Sequence, residues 1–224
     1  MRINDLSKTN SIIGNFITEL RDANIQQDSM RFRKNLERLG WVFAYEMSKK
    51  MNYEIMTVET PLGEKEMPLL SDKLVLATIL RAGLPFHQGF LEVFDNAENA
   101  FISAYRKYDE EGAFDIFSDY ITSPSLDEKV LIITDVMLAT AASLIVAHKA
   151  LKGYGKPDHI HIAAVIASVE GIDALKSYFG NKSVTLWVSA IDDELSAKGY
   201  IVPGLGDAGD LAYGEKLCKF VSLC

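Results

Sequence analysis

Apolar residues recur at helical spacing through the first fifty positions. Ile12, Ile13, Phe16, Ile17 and Leu20 share one face, and after a cap candidate at Asp28 or Ser29 the series Phe32, Leu36, Leu39, Phe43 and Met47 repeats the stripe. This predicts two helices whose apolar faces need a partner surface. The next stretch, YEIMTVETPLGEKEMPLL, has short extended segments around a Pro and Gly turn and reads as a hairpin arm outside the main sheet. From Lys73 onward the texture changes to apolar runs, KLVLATIL, FISAYR, KVLIIT, IHIAAVIA and VTLWVSAI, alternating with helical patterns such as residues 143–152. Near-continuous apolar runs of strand length suit strands covered on both faces, so the fold class is α/β, a mainly parallel sheet flanked by helices. The 224 residues fit one domain, with N-terminal helices and hairpin arm in 1–70, a core sheet in 71–200 and a C-terminal segment in 201–224.

In such a sheet, ligands bind beyond the carboxyl ends of the strands, and there the distinctive residues of this chain fall. KLVLATIL ends in RAG, residues 81–83; AFISAY ends in Arg106 and Lys107; VLIIT ends in DVMLATAAS, residues 135–143; VTLWVSAI leads through DDELSAKGY to IVPGLGDAGD. A buried strand that stops at Asp135 would hold the next residues at the rim, where backbone N–H groups and the hydroxyls of Thr140 and Ser143 face a ligand. A helix N-terminus entered through small residues suits a phosphate. Arginines suit a diphosphate, and Asp135 can accept hydrogen bonds from sugar hydroxyls. The ligand so described has two separated anionic groups with hydroxyls between them. Ala141 and Ala142 stand out, because phosphate loops usually carry glycine there.

Composition narrows the class. Hydrophobic residues make up 48% and charged residues 24% of the chain, as in an ordinary globular protein. No apolar run reaches the roughly 18 residues of a membrane span, and MRINDLSKTN has no apolar signal region, so a cytoplasmic protein is expected. The cysteines, Cys218 and Cys224, have no metal-ligand spacing, and a net charge of −8 disfavours nucleic-acid binding. GLGDAG, residues 204–209, spells a dinucleotide fingerprint, but Pro203 precedes it and the chain ends soon after, so a ligand-facing turn is the better reading. His159 and His161 share a strand face without a third ligand nearby, which favours a structural role over a metal. RFRKNLER, residues 31–38, reads as a solvated helix face or subunit contact.

Together ILRAGLP, AYRKYDEEG, DVMLATAAS and GYIVPGLGDAGD resemble uracil phosphoribosyltransferase, in order and over nearly the whole chain. The resemblance implies a phosphoribosyltransferase-type fold with a hood, and an enzyme of pyrimidine salvage that joins uracil to 5-phosphoribosyl 1-diphosphate (PRPP), giving UMP and diphosphate, with Mg2+ bound alongside PRPP. It implies that PRPP is held by Arg81, Arg106, Asp207 and the run Asp135, Val136, Met137, Leu138, Ala139, Thr140, Ala141, Ala142 and Ser143. Ile201, Gly206, Asp207 and Ala208 would line the uracil site, making 201–224 the uracil-binding loop and C-terminal segment, and Asp207 is the catalytic candidate. No residue is assigned to metal binding. Members of the family are dimers or tetramers, and some respond to GTP, so a homo-oligomer and a GTP effector are implied too.

The chain departs from the family pattern D-P-M-L-A-T-G-G-S at Val136, Ala141 and Ala142, and SVEG at 168–171 replaces A-P-E-G. An alanine forced into left-handed geometry costs about 1–2 kcal/mol; a Cβ that crowds the phosphate also weakens binding; an alanine in the first helical turn is harmless. The first two outcomes favour an alternative, a catalytically weakened UMP- or uracil-binding regulatory protein. A weaker third reading, an RNA-binding attenuator, runs against the charge.

Overall fold

The computed structural model describes residues 1–108, 114–117 and 120–215, with the backbone alone for 105–108 and 114–117. Strand β1 (Arg2–Asp5) is followed by α1 (Ile13–Arg21), α2 (Ser29–Ser48), a hairpin of β2 (Tyr53–Thr60) and β3 (Gly63–Leu70), then β4 (Leu74–Leu80), α3 (Gly83–Leu91) and β5 (Glu98–Ser103). A second hairpin, β6 (Tyr105–Tyr108) with β7 (Phe114–Phe117), leads to β8 (Ile121–Thr122) and β9 (Val130–Leu138). Then come α4 (Ala142–Leu151), β10 (His159–Ser168), α5 (Val169–Phe179), β11 (Val184–Val188) and α6 (Ala208–Tyr213).

The main sheet runs β1-β11-β10-β9-β4-β5-β8, and Ile191–Asp192 pairs with the end of β10. Every pair is parallel except β5 with β8. Alternation along the strands sorts side chains into two cores. Leu74 and Leu76 of β4 and Val130 and Ile132 of β9 pack with α1, α2 and α3 on one face, whereas Val75, Ala77, Leu131 and Ile133 pack with α4 and α5 on the other. Strands buried on both faces read as near-continuous apolar runs, as these do, with Thr78 and Thr134 as buried hydroxyls among them.

The N-terminal stripes bury as their spacing requires. Phe32, Leu36, Leu39, Phe43 and Met47 are all buried, and Asp28 caps α2 by accepting from the amides of Met30 and Arg31, both at 3.1 Å. Phe43 meets Phe86 of α3 edge to face with ring centroids 5.1 Å apart, fixing α3 against α2.

Three features differ from the sequence reading. The third apolar run does not stop at Asp135: β9 keeps pairing with β10 through Met137 and Leu138, because β10 is long enough to accept it. FISAYR is not one strand; it breaks at Ala104, where the Ser103 amide donates to the Tyr120 carbonyl at 3.0 Å and the chain leaves the sheet as β6. The first residues are an edge strand, β1, since Arg2 to Asp5 pair in register with Thr185 to Val188.

Candidate active site

A cleft of about 560 Å³ opens beyond the carboxyl ends of β4, β5 and β9. That is the size of a small-molecule site. Arg81, the whole run of residues 135–143, and Asp207 line it, so three of the sequence motifs meet in one place.

Because β9 runs to Leu138, only Ala139, Thr140 and Ala141 separate it from α4. The turn is made at Ala141, whose φ of 64° and ψ of −2° are left-handed, and Ile145 N–H donates to the Ala141 carbonyl at 2.9 Å as the first helical bond. Ala142 is the first helical residue. The two alanines therefore differ: the first occupies the glycine-favouring conformation and the second a position where alanine is at home. At the N-terminus of α4, where the first amides lack carbonyl partners within the helix, Ala142, Ser143 and Leu144 line the cleft.

The loop is braced from behind. Ser168, capping α5, accepts from the Gly171 amide at 2.9 Å and donates its hydroxyl to the Ala139 carbonyl at 2.6 Å. A Cβ on Gly171 would run into the carbonyl oxygens of Ala139 and Leu138. SVEG is thus the surface against which the loop of residues 139–141 is set.

Asp135 lies on the cleft side of β9, and its carboxylate accepts from the Val136 amide at 2.7 Å. Burial pushes this carboxyl up to about 7, against the Val136 and Met137 amides that hold it down. The Val136 donor depends on the departure from the family pattern, because a proline there has no N–H.

Across the cleft, Arg81 pairs with Asp210 at 2.8 Å and donates to the Gly214 carbonyl at 3.2 Å. Asp207 caps α6, accepting from the Asp210 amide at 3.0 Å. Gly209 lies between them, and a Cβ there would sit 3.3 Å from the Asp207 carboxylate and 3.4 Å from the Arg81 guanidinium. Ile201, Gly206 and Ala208 bracket Asp207 in the chain but do not line this cleft; Ile201 and Ala208 are buried, and Gly206 is exposed with a φ of 84°. Arg106 lies on β6 opposite Ile116, and its side chain, residues 109–112 of AYRKYDEEG, Cys218 and Cys224 lie outside the described residues.

The glycine-rich turn carries a clamp that no motif announced. Arg21 of α1 grips Asp192 through two hydrogen bonds of 2.8 and 2.7 Å and donates to the Gly204 carbonyl at 3.0 Å, while the Gly204 amide donates to Asp192 at 3.1 Å. One bidentate pair thereby fixes both backbone groups of Gly204. Its partners are far apart in sequence, so local spacing carries no signal of it. Ser168 had one: SVEG stood out as a departure.

A mainly parallel sheet whose carboxyl edge brings a strand-loop-helix turn, an acid and an arginine into one cleft defines a phosphoribosyltransferase. The sequence model of the family described as Uracil phosphoribosyltransferase matches residues 7–215. The chain belongs to the uracil phosphoribosyltransferase family. It is 55% identical over 217 residues to the uracil phosphoribosyltransferase of Porphyromonas gingivalis, covering 97% of this chain and 100% of that one. To the uracil phosphoribosyltransferase of Pyrococcus furiosus it is 42% identical over 202 residues, 89% of this chain and 84% of the relative. Among solved structures, AQ2163 protein from Aquifex aeolicus superposes with a TM-score of 0.82 at 35% identity, covering 95% of this chain and 98% of that one.

Proposed function

We propose that this cleft transfers the phosphoribosyl group of PRPP to uracil, releasing diphosphate and UMP in pyrimidine salvage. The observation that carries this reading is the convergence of Arg81, residues 135–143 and Asp207 on one cleft. The amides at the start of α4, with Thr140 and Ser143, hold the 5-phosphate; Asp135 takes the ribose hydroxyls; Arg81 and Arg106 take the diphosphate. Asp210, which holds Arg81 at 2.8 Å, exchanges with the diphosphate when PRPP enters. Val136, Met137, Leu138, Ala139, Ala141 and Ala142 supply the backbone of that cradle.

In the reaction the anomeric C–O bond to diphosphate breaks and a bond from N1 of uracil forms, so positive charge grows on the ribose and negative charge on the leaving group. Fixed cations at the diphosphate and correct placement of the uracil nitrogen lower this barrier. The backbone of Ile201, Gly206, Asp207 and Ala208 reads uracil, whose carbonyls accept and whose N3 donates. Cytosine would leave those groups unpaired.

The donor set suits Mg2+. Asp135 and Asp207 present two carboxylates to the same cleft, and Mg2+ binds through one or two carboxylates, substrate phosphates and waters. When bound, it offsets charge on the departing diphosphate.

Asp207 is the proposed catalytic residue. Asn caps helices as well as Asp does, so Asp207→Asn keeps α6 and removes only the charge. UMP formation from uracil, PRPP and Mg2+ is expected for the wild type and is expected to fall in Asp207→Asn. No UMP from the wild type at any PRPP concentration would refute the reading.

The same reading includes a homo-oligomer, dimer or tetramer. Ile55 is 65%, Met56 53% and Leu62 100% exposed on the β2–β3 arm, and a lone two-stranded hairpin is marginally stable in water. Light scattering on the purified protein tests it. Among the described residues no helix is long and apolar enough to cross a membrane, and we read the enzyme as cytoplasmic. GTP belongs to the reading as an effector without assigned residues, measured by UMP formation with and without it. We also take 1–224 as one domain, with its arm in 1–70, its sheet in 71–200 and its uracil loop in 201–224.

A further inference from the structure

A second cavity lies at the opposite edge of the sheet, where β9, β10 and β11 begin. It measures about 220 Å³, below the size of pockets that take drug-sized ligands, and is lined by Arg2, Lys50, Asp72, His161 and Trp187 among others. It shares no lining residue with the phosphoribosyl cleft.

His161 makes the cavity distinctive. The Trp187 indole N–H donates to His161 Nδ1 at 3.1 Å, and an indole nitrogen can only donate. Nδ1 must therefore be the acceptor, and a neutral ring carries its proton on Nε2. Burial, then neighbouring His159, pushes His161 down to about 4 against the opposing pull of Asp72, so the ring is neutral at pH 7. Its residue is only 5% exposed, and Nε2 has no hydrogen-bond partner among the described residues. Nor is it sealed in: the fully enclosed unpaired side-chain atoms among those residues are Gln26 Oε1, Thr78 Oγ1 and His87 Nδ1. His161 thus presents a fixed N–H donor to the cavity.

The charges agree with that donor. Arg2 and Lys50 both line the cavity, and neither has a carboxylate partner among the described residues. The one acid, Asp72, is engaged by Asn52, whose backbone amide and side-chain amide donate to its two oxygens at 2.8 and 2.9 Å. His159 is satisfied as well, meeting Ser183 at 2.8 Å and Thr185 at 3.0 Å. Two unpaired cations and one buried donor call for a compact acceptor. A nucleotide is too large for the space.

We propose that this cavity binds a small oxyanion, inorganic phosphate or the carboxylate of a small metabolite, between Arg2, Lys50 and the Nε2–H of His161. The site is separate from the phosphoribosyl cleft and does not depend on how that cleft is read. Asn52 and Asp72 flank the base of the β2–β3 arm, so an occupant would tie the arm to the sheet.

The test follows the imidazole signals of the full-length protein by nitrogen-proton NMR at pH 7, where His161 reports on this cavity and not on the other cleft. His161→Phe assigns the resonances. Inorganic phosphate and acetate are titrated separately, which tells an inorganic anion from a carboxylate. Saturable movement of the His161 signals by either anion, weakened about tenfold in Arg2→Gln, where one charge-assisted contact is lost, is expected. Lys50→Gln, at the exposed rim, provides a second variant should Arg2→Gln disturb the edge strand. Signals that do not move with either anion, or that titrate in both variants with the wild-type midpoint, overturn the proposal.

Discussion

Replacing Ala141 by glycine isolates the strain in the phosphate loop. With φ at 64°, this alanine bears the left-handed penalty of about 1–2 kcal/mol, and glycine releases it. Two losses oppose the gain: the alanine is 4% exposed, so removing its methyl forfeits about 0.8 kcal/mol of burial, and glycine's greater freedom when unfolded costs about 0.5–1 kcal/mol. Ala141→Gly should therefore lie within about 1 kcal/mol of the wild type, by these same terms. Ala142→Gly has no strain to release, and a helical glycine loses about 0.8–1 kcal/mol against alanine. Urea unfolding of the two variants side by side should place Ala141→Gly above Ala142→Gly by up to about 1.5 kcal/mol, the strain released less the buried methyl lost. The reverse order, with Ala141→Gly below Ala142→Gly, would show that the turn at 141 carries no strain and would refute the reasoning. The KM for PRPP should follow the same order, since the loop must hold this turn to present its amides.

Gly171→Ala forces a Cβ into the carbonyls of Ala139 and Leu138, and overpacking of this kind costs about 1–3 kcal/mol; denaturation and a raised KM for PRPP would register it, and a silent substitution would remove Gly171 as a brace. Asp192→Asn breaks the bidentate grip of Arg21 on the Gly204 turn, and loss of a charged hydrogen bond of about 1.5–3 kcal/mol should raise the KM for uracil about tenfold or more while leaving that for PRPP near its original value. Asp135 is raised to about 7 in the folded chain, so between its ordinary carboxylate range and that value the folded state holds a proton the unfolded state has lost. Stability of the ligand-free protein should accordingly fall as pH rises from about 4 to 7 and then level off with respect to this group; Asp135→Asn should flatten that slope in pH-dependent urea titrations, and an unchanged slope would assign it to other groups.

The helices and buried strands were legible because their patterns are local. The stripe from Phe32 to Met47 and the runs around Ile132 and Ile162 each contain the information that buries them. The end of β9 was not legible: Asp135 looked like a stop, but whether a strand continues is decided by its neighbour, and Ile166 and Ala167 of β10 were there to pair. The loop after β9 was legible as a turn from strand to helix, yet its alanines resisted interpretation because φ is a property of the closed turn, not of composition. Contacts such as Arg21 with Asp192 and Ser168 with Ala139 exist only after the chain has folded, and Val136 shows that even a departure can contribute, by supplying the amide that touches Asp135.

The edge strand β1 bears on the order in which the molecule is made. Its sheet partner is β11, with Arg2 opposite Thr185, so β1 cannot pair until every other strand of the sheet has been made. Such distant pairings are slow to form. Meanwhile β9, β4 and β5 can associate as they emerge, and α1 and α2 have only one another to cover their apolar stripes until those strands arrive. After β1, synthesis starts the sheet at β4, reaches one edge at β8 and returns through β9 and β10 to β11, so closure by β1 comes among the last steps of folding rather than the first.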